Sequence, residues 1–253
     1  MKIIIDPSFS EQVTGSFYDK YYFSLEHDSI LWRDFGAIEK CKSIRALCKN
    51  LKIDSVVEFG CGTCSNLKLL SKQKFSKIFY GIEVSPSAVQ FIKDHVKIPE
   101  LKAIYLMNTE HTGFPDQSFD LGILSHVIEH VNDPAMLIKE ALRTCKYVVV
   151  EVPLDVNLSN TIYNKVTKAD QLNNSSGHIQ FFTKSSFRQL VKDSGGLIIK
   201  DRAYRSPSVF YTTFSGKVAI EYLRSFLFFM AFKITGTYVV GSHYAVLIKK
   251  VKK

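Results

Sequence analysis

Short apolar runs rich in β-branched and aromatic residues alternate with amphipathic segments through the middle of the 253-residue chain. The runs predict β-strands and the amphipathic segments predict helices, because the two patterns match the repeats of extended and helical backbone. The predicted strands are 55–59, 77–84, 103–107, 119–124 and 147–152, and the predicted helices are 64–73, 87–97 and 134–144. Apolar strands separated by helices are typical of a parallel sheet covered on both faces.

Residue types at the segment ends support this pattern. Asp133 before Pro134 is a typical helix start, and Thr183 predicts the start of a helix that stops at Gly195. The other predicted elements are a helix at 36–48, a strand at 197–204, a helix at 217–233, and a final strand or pair of strands at 238–251. Together these elements predict a doubly wound, Rossmann-like α/β fold with a mostly parallel sheet of seven strands.

Differences in composition divide the chain into three regions. Residues 1–50, aromatic and irregular at first, are predicted to form a cap of helices on the core. Residues 51–205 are predicted to form the α/β core, in which the polar, turn-rich segment 154–182 has the length and composition of a lid. Residues 206–253 are predicted to form a basic, aromatic helix and the last strands of the sheet.

Positive charge is concentrated towards the end of the chain. The whole chain has a formal charge of +9, and residues 200–253 hold 10 Lys or Arg, 2 Asp or Glu and eleven Tyr or Phe. Such a surface suits an anionic substrate, lipid headgroups or nucleic acid, although a solvated basic tail beside an aromatic core helix has the same composition. The apolar run 226–232 is far shorter than the roughly twenty residues that span a bilayer. We therefore expect 217–233 to contact a membrane surface or a partner at most.

Five cysteines, an odd number, and the lack of a segment resembling a secretory signal predict reduced thiols in a cytoplasmic protein. An alternative is that the protein binds peripherally to the inner face of the membrane. Cys61 and Cys64 have the C-x-x-C spacing of redox and zinc motifs, but no second pair accompanies them. We therefore expect neither redox chemistry nor a metal site.

A glycine loop follows the first predicted strand of the core. The segment Glu58-Phe59-Gly60-Cys61-Gly62 leads into a helix, and glycines there let the backbone approach a ligand closely. A dinucleotide fingerprint would need a third glycine where Ser65 stands, and the Glu58 carboxylate would repel a pyrophosphate. That carboxylate suits instead the cationic amino group of the methionine part of S-adenosylmethionine.

The loop resembles the E/D-x-G-x-G signature of class I S-adenosylmethionine-dependent methyltransferases, in the broad type 11 or type 12 group. Two further stretches are similar to that family, namely F-P-D-Q-S-F-D at 114–120 and S-H-V-I-E-H-V-N-D-P at 125–134. The resemblance covers residues 55–153, with weaker similarity to about residue 200.

This resemblance implies S-adenosylmethionine as cofactor and S-adenosylhomocysteine as product. Glu83, at the end of the second core strand, would bind the ribose hydroxyls, because a carboxylate can accept two hydrogen bonds at once. Asn108 stands where the family usually has an Asp facing the adenine amino group, and its side-chain oxygen can still accept from that amine. The expected cofactor-binding residues are Glu58, Gly60, Cys61, Gly62, Glu83, Val84, Asn108, Thr109 and Ser125.

Methyl transfer to a hydroxyl needs an aligned acceptor and a base, and three histidines are candidates. His178 is the first choice, because the stretch G-H-I-Q-F-F-T at 177–183 is similar to one in methyltransferases that act on glycan or small-molecule acceptors. His126, at the end of the fourth strand, is the second choice. For His130 we prefer a structural role that ties a loop to the backbone, although its spacing from His126 could suit a metal. Tyrosines within 18–22 either cap the cofactor or pack in the core.

The leading hypothesis is O-methylation of an anionic small-molecule or glycan acceptor, such as a nucleotide- or lipid-linked sugar. One alternative is a methyltransferase for a lipophilic acceptor at the membrane surface, reached through 217–233. Another is a non-catalytic binding protein on the same fold. Nucleic acid is disfavoured as acceptor, because Ser125-His126-Val127-Ile128 is not the N/D-P-P-Y/F motif of nucleic-acid amino-methyltransferases.

Overall fold

A computed structural model describes residues 1–7, 9, 27–154, 177–204 and 243–251. In this part of the chain, eight strands form one sheet that is covered by five α-helices. The strands are β1 (Lys2–Ile5), β2 (Ser55–Phe59), β3 (Ile78–Glu83), β4 (Leu101–Leu106), β5 (Phe119–Ser125), β6 (Cys145–Pro153), β7 (Gly196–Tyr204) and β8 (His243–Lys250). The α-helices are α1 (His27–Leu47), α2 (Ser65–Lys72), α3 (Pro86–His95), α4 (Pro134–Thr144) and α5 (Lys184–Asp193).

The strand order is β1-β4-β3-β2-β5-β6-β8-β7. Adjacent strands are parallel except for the pairs that β8 makes with β6 and β7. β3 and β4, which follow β2 directly in the chain, lie on one side of it, and β5 and β6 lie on the other, so the winding reverses between β2 and β5. A reversal of this kind opens a crevice at the carboxyl ends of the central strands. The predicted doubly wound, mostly parallel α/β sheet is confirmed.

The predicted number of seven strands is wrong, because β1 adds an eighth at one edge. Lys2 lies opposite Ala103 and Ile5 lies opposite Leu106, in parallel register with β4. β1 has only four residues, most of them exposed, so its sequence lacks the apolar alternation by which strands are recognised. Pairing with the open edge of β4 determines its conformation.

α1 is longer than the helix that the sequence predicts in this region. The helix predicted at 36–48 begins earlier, at His27, and α1 packs as a layer of the core. Its residues Cys41 and Ile44 are fully buried with Leu67 and Leu70 of α2 in one hydrophobic cluster. Apolar and polar residues are distributed around all sides of α1, so the sequence shows no helical periodicity from which its first residue could be predicted.

Two hydrophobic clusters lie on opposite faces of the sheet, since successive strand residues point to opposite sides. Val56 belongs to the cluster beneath α1, α2 and α3, whereas its neighbour Val57 belongs to the cluster beneath α4 and α5. Leu137 of α4 and Phe187 of α5 are fully buried in that second cluster. These two layers hold the carboxyl ends of the central strands in place.

α4 and α5 begin at the predicted capping residues, Asp133 and Thr183, whose side chains form the capping hydrogen bonds. Asp133 Oδ1 accepts a hydrogen bond from Met136 N at 2.9 Å at the start of α4. Thr183 Oγ1 accepts one from Ser186 N at 3.0 Å at the start of α5. Such caps each contribute about 1 kcal/mol to helix stability.

Several predicted features lie outside the described residues. These are the tyrosines at 18, 21 and 22, the helix at 217–233, and the lid segment except for residue 154 and residues 177–182. Among the helices that the structure describes, none is long and apolar enough to cross a membrane.

Candidate functional site

The glycine loop leaves β2 at the centre of the sheet and enters α2. Gly60 and Gly62 have φ angles of +67° and +52°, which residues with a side chain rarely adopt. A Cβ atom on Gly60 would also lie 2.8 Å from Val127 Cγ2, in the turn after β5. The loop therefore requires glycine at position 60 both for its backbone conformation and for the close approach of the neighbouring turn.

The Glu83 carboxylate, at the end of β3, organises this loop. Its Oε2 accepts a hydrogen bond from Gly62 N at 2.7 Å. Its Oε1 accepts hydrogen bonds from Val84 N at 2.8 Å and from Ser85 N at 3.1 Å. Burial raises the pKa of Glu83, while the three backbone donors act in the opposite direction. One side chain thus links the glycine loop to the turn after the adjacent strand.

Glu58 lies buried at the end of β2, and Asn66 of α2 holds one of its oxygens. Asn66 Nδ2 donates a hydrogen bond to Glu58 Oε1 at 2.7 Å. Oε2 has no hydrogen-bond partner among the described residues. Burial raises the pKa of Glu58 to about 8, although the Asn66 hydrogen bond lowers it. The sequence prediction missed Asn66, because the polar side chain stands among the ordinary polar positions of a short helix.

Cys61 contributes packing to the glycine loop. A Cβ atom on Gly81 of β3 would lie 2.6 Å from Cys61 Sγ, so the thiol occupies the space that glycine leaves. All five cysteines are buried and free of disulfide bonds. This geometry agrees with the interpretation of Cys61 as a small loop residue.

A group of partly buried histidines and fully buried glutamates lies beside the loop, at the carboxyl ends of β5 and β6. The His126 backbone has a φ angle of +57°, and its N–H donates to Glu151 O at 3.1 Å. His126 Nδ1 lies 3.1 Å from Glu129 Oε1, and Nε2 lies 3.2 Å from Glu151 Oε1. Burial lowers the pKa of His126, but its interactions with the two carboxylates outweigh burial and leave that pKa above its ordinary value.

His130 and His178 meet on the other side of Glu129. His130 Nδ1 lies 3.1 Å from Gly177 O, and the two imidazole rings lie 4.9 Å apart between centroids. The Glu129 carbonyl oxygen accepts hydrogen bonds from the backbone N–H groups of residues 179–180 at 2.9 and 3.0 Å. His130 therefore ties a loop to the turn after β5, as its structural interpretation predicted, and this contact places His178 beside the strand ends.

The remaining predicted cofactor residues lie on turns or at a strand end, at the same edge of the sheet. Asn108 Oδ1 accepts a hydrogen bond from Glu110 N at 2.8 Å, which shapes the turn after β4, and the neighbouring Thr109 is buried. Ser125 Oγ donates to Glu151 Oε1 at 3.4 Å at the end of β5. The predicted residues at the ends of β2, β3, β4 and β5 therefore lie at the same edge of the sheet.

A family model described as a methyltransferase domain matches residues 35–197. The chain belongs to this methyltransferase family. It is a class I S-adenosylmethionine-dependent methyltransferase in its fold and domain, and S-adenosylmethionine is the cofactor of that class. The match begins within α1, so this helix is part of the methyltransferase domain. No curated protein sequence matches the chain.

Solved methyltransferase structures share the fold at low sequence identity. A Haloferax volcanii methyltransferase, solved with the Trm112 activator, is 14% identical with a TM-score of 0.62, over 93% of this chain and 98% of that one. A Thermotoga maritima methyltransferase is 17% identical with a TM-score of 0.58, over 96% and 100%. Geranyl diphosphate C-methyltransferase from Streptomyces coelicolor, solved with S-adenosylhomocysteine, is 14% identical with a TM-score of 0.55, over 97% and 83%. At these identities the comparison establishes the fold of this methyltransferase.

Proposed function

We propose that this methyltransferase binds S-adenosylmethionine at the carboxyl ends of β2 and β3 and methylates a hydroxyl group of an anionic small molecule or glycan. The observation that carries the proposal is the pair of buried carboxylates, Glu58 and Glu83, on either side of the glycine loop. The cofactor supplies a methyl group on a positively charged sulfur.

The glycine loop and its two carboxylates fit this cofactor chemically. Glu83 accepts three backbone hydrogen bonds, and a carboxylate has about four lone-pair positions, so it retains capacity for a ribose hydroxyl. Glu58 has one oxygen without a described partner, which suits the cationic amino group of the methionine part. In this proposal the cofactor site is completed by Gly60, Cys61, Gly62, Val84, Asn108, Thr109 and Ser125.

We assign the base for a hydroxyl acceptor to His178. Its ring packs against His130 at the strand ends, next to the crevice in which cofactor and acceptor would meet. His126 is a weaker candidate, because the carboxylates of Glu129 and Glu151 favour its protonated form, which cannot accept a proton. The basic composition of residues 200–253 supports an anionic acceptor, such as a nucleotide- or lipid-linked sugar.

Isothermal titration with S-adenosylmethionine and S-adenosylhomocysteine tests the cofactor part of this proposal. We expect both to bind, and binding of neither would overturn it. Transfer of a labelled methyl group to a panel of anionic sugars, neutral sugars and lipid acceptors then tests the acceptor part. Labelling of lipids alone would favour the lipophilic alternative, and cofactor binding without transfer to any acceptor would favour a non-catalytic protein.

The variant Glu58→Gln is expected to weaken S-adenosylmethionine binding by about 10-fold, equivalent to ~1.4 kcal/mol, because the cationic amino group loses its charged partner. The free protein holds Glu58 protonated below pH 8, since burial raises its pKa to about 8. A bound ammonium group favours the ionised form, so wild-type affinity rises about 10-fold or more between about pH 6 and about pH 8. The variant lacks the titrating group, and we expect its affinity to be nearly constant over that range.

Glu100→Gln is the matched control for this measurement, because Glu100 lies just before β4, at the opposite edge of the sheet from the glycine loop, and a glutamine oxygen can still accept its hydrogen bond from Ser71 Oγ of α2. It should bind the cofactor as the wild type does at each pH.

The raised pKa of Glu58 also makes the ligand-free protein less stable as the pH rises from about 4.5 to about 8, since the unfolded chain releases this proton at lower pH. An equal pH dependence of binding in wild type and Glu58→Gln would exclude the role of Glu58.

A further inference from the structure

We propose that His126, Glu151 and His243 form a binding site for a first-row divalent transition-metal ion, such as Zn²⁺ or Mn²⁺. Two imidazoles and one carboxylate are ligands that these ions accept. One ligand atom from each of the three residues lies within 4.8 Å of the others. Ligands of one ion lie about 3–3.5 Å apart when each is about 2 Å from it, so small side-chain movements complete the site.

Three neighbouring strands carry these ligands. His126 directly follows β5, Glu151 lies near the end of β6, and His243 begins β8. Pairing places Ser125 opposite Glu151 and His243 opposite Pro153, which brings the three side chains to one edge of the sheet. Ligands carried on paired strands are held more firmly than ligands on loops.

Buried polar atoms at this position lack hydrogen-bond partners, which is the second observation for the site. Glu151 is 1% exposed, and its Oε2 has no hydrogen-bond partner in the described part of the chain. His126 Nε2 has only the charged contact with Glu151 Oε1, 3.2 Å away, and no hydrogen bond of good geometry with a described residue. Buried polar groups without such partners cost free energy, and a metal ion bound between them would recover it.

The surroundings of His126 match those of a metal-binding imidazole, and an aromatic contact holds the His243 ring. A ligating histidine usually has a carboxylate or carbonyl group at its other ring nitrogen, which orients the ring. Here Glu129 Oε1 lies 3.1 Å from His126 Nδ1, and the Glu129 side chain is fully buried. The His243 ring stacks on Tyr204 at 5.2 Å between centroids, with an angle of 28° between the planes. Both rings are therefore oriented by neighbouring side chains.

Local charge also favours a divalent cation. Two buried carboxylates, Glu129 and Glu151, face His126 from opposite sides. Lys40 of α1 acts on His126, Glu151 and His243 through space, and its single positive charge does not balance both carboxylates when the imidazoles are neutral. A divalent ion bound to the histidines and Glu151 supplies the additional positive charge.

The proposed site differs from the histidine pair that sequence spacing suggested. His130 Nδ1 lies 3.1 Å from Gly177 O, and His130 groups with Glu129 and His178, so His126 and His130 do not form the metal pair. His243, which is distant in sequence, supplies the second imidazole. The expectation of no metal in this protein is therefore replaced by a specific proposal.

A catalytic role for the ion rests on the proposed function, whereas binding of the ion depends only on the three ligands. The three ligands lie at the carboxyl ends of β5 and β6, beside the crevice that would hold cofactor and acceptor. An ion held there would bind the acceptor oxygen and lower the pKa of its hydroxyl group. His178, on the neighbouring turn, would then receive the proton.

Metal titration of the full-length, chelator-treated protein tests the site. Zn²⁺ and Mn²⁺ are added in competition with a chromophoric chelator, and bound metal is counted by mass spectrometry after dialysis. We expect one ion per chain, and at least a 10-fold loss of affinity in Glu151→Gln and in His243→Gln. His95→Gln is the matched control on α3, outside the site, and should bind as the wild type does.

Folding and cofactor binding are measured on the same samples. Circular dichroism identifies any variant that fails to fold, and Glu151→Gln, which has nearly the shape of the wild-type side chain, keeps the test decisive if His243→Gln unfolds. The absence of stoichiometric binding, or equal affinity in wild type and both folded variants, would overturn the metal site. If S-adenosylmethionine binds and metal does not, only this inference fails. If metal binds and the cofactor does not, the proposed function fails and the site stands.

Discussion

Replacing Glu83 by glutamine is expected to weaken the binding of S-adenosylmethionine by about 100-fold, because three hydrogen bonds that order the glycine loop depend on its carboxylate. A glutamine keeps one oxygen but places an NH₂ group against at least one backbone donor, so Gly62 N or the N–H groups of Val84 and Ser85 lose their acceptor. The loop loses a side-chain contact with β3 and keeps the backbone hydrogen bonds from Gly60 N and Cys61 N to Ile82 O, while the proposed ribose contact loses its charge. Isothermal titration at constant pH measures this effect.

The same variant should lower the free energy of unfolding by about 1–3 kcal/mol, which denaturant titration measures. Glu100→Gln again serves as the control and should leave cofactor affinity unchanged. The decisive comparison is between cofactor affinity and stability. If Glu83→Gln loses stability but binds the cofactor with wild-type affinity, Glu83 only supports the fold and the proposed cofactor site is wrong.

Replacing Glu140 by alanine is expected to destabilise the protein by about 2–3 kcal/mol, since it removes the acceptor for a buried loop and for an arginine. Glu140 Oε1 accepts hydrogen bonds from Thr112 N at 2.9 Å and from Thr112 Oγ1 at 2.6 Å. Arg143 pairs with the same carboxylate at 2.7 Å. Thr112 lies in the loop after β4 that carries Asn108 and Thr109, so weaker cofactor binding is also expected.

The pH dependence of this stability difference distinguishes the loss of the Glu140–Arg143–Thr112 interactions from a simple loss of packing. Burial raises the pKa of Glu140, but the hydrogen bonds from Arg143 and Thr112 outweigh it and lower that pKa to about 2. An acid with a lowered pKa contributes stability above its unfolded value of about 4.5, and that contribution is lost as the pH falls towards about 2. Denaturant midpoints of wild type and Glu140→Ala should therefore converge between about pH 7 and about pH 3.

Asp116→Asn provides the control for this second measurement. Asp116 also contacts Arg143, at 2.9 Å, but its side chain is 68% exposed, and exposed pairs contribute little. We expect its stability to stay within about 0.5 kcal/mol of the wild type. A constant difference between Glu140→Ala and wild type at all pH values would show that packing, and not the charged network, accounts for the loss.

Local sequence patterns predicted the central elements well. The strand at 55–59 and the helix at 134–144 have the predicted bounds, since an apolar run between polar residues and an Asp-Pro start act over a few residues. By contrast, β1 and the first turns of α1 were missed. Their conformations depend on the edge of β4 and on burial against the sheet, neither of which leaves a strong local pattern.

The sequence by itself determined the candidate cofactor site, because the glycine loop, Glu58 and Glu83 belong to one strand–helix–strand unit. In such a unit the spacing along the chain nearly dictates the spacing in space, so chemistry and resemblance indicated the same residues. Only the tertiary structure brought together His126, Glu151 and His243. The antiparallel pairing of β8 with β6 joins residues far apart in the chain, and no local pattern encodes which distant strand fills that position in a sheet.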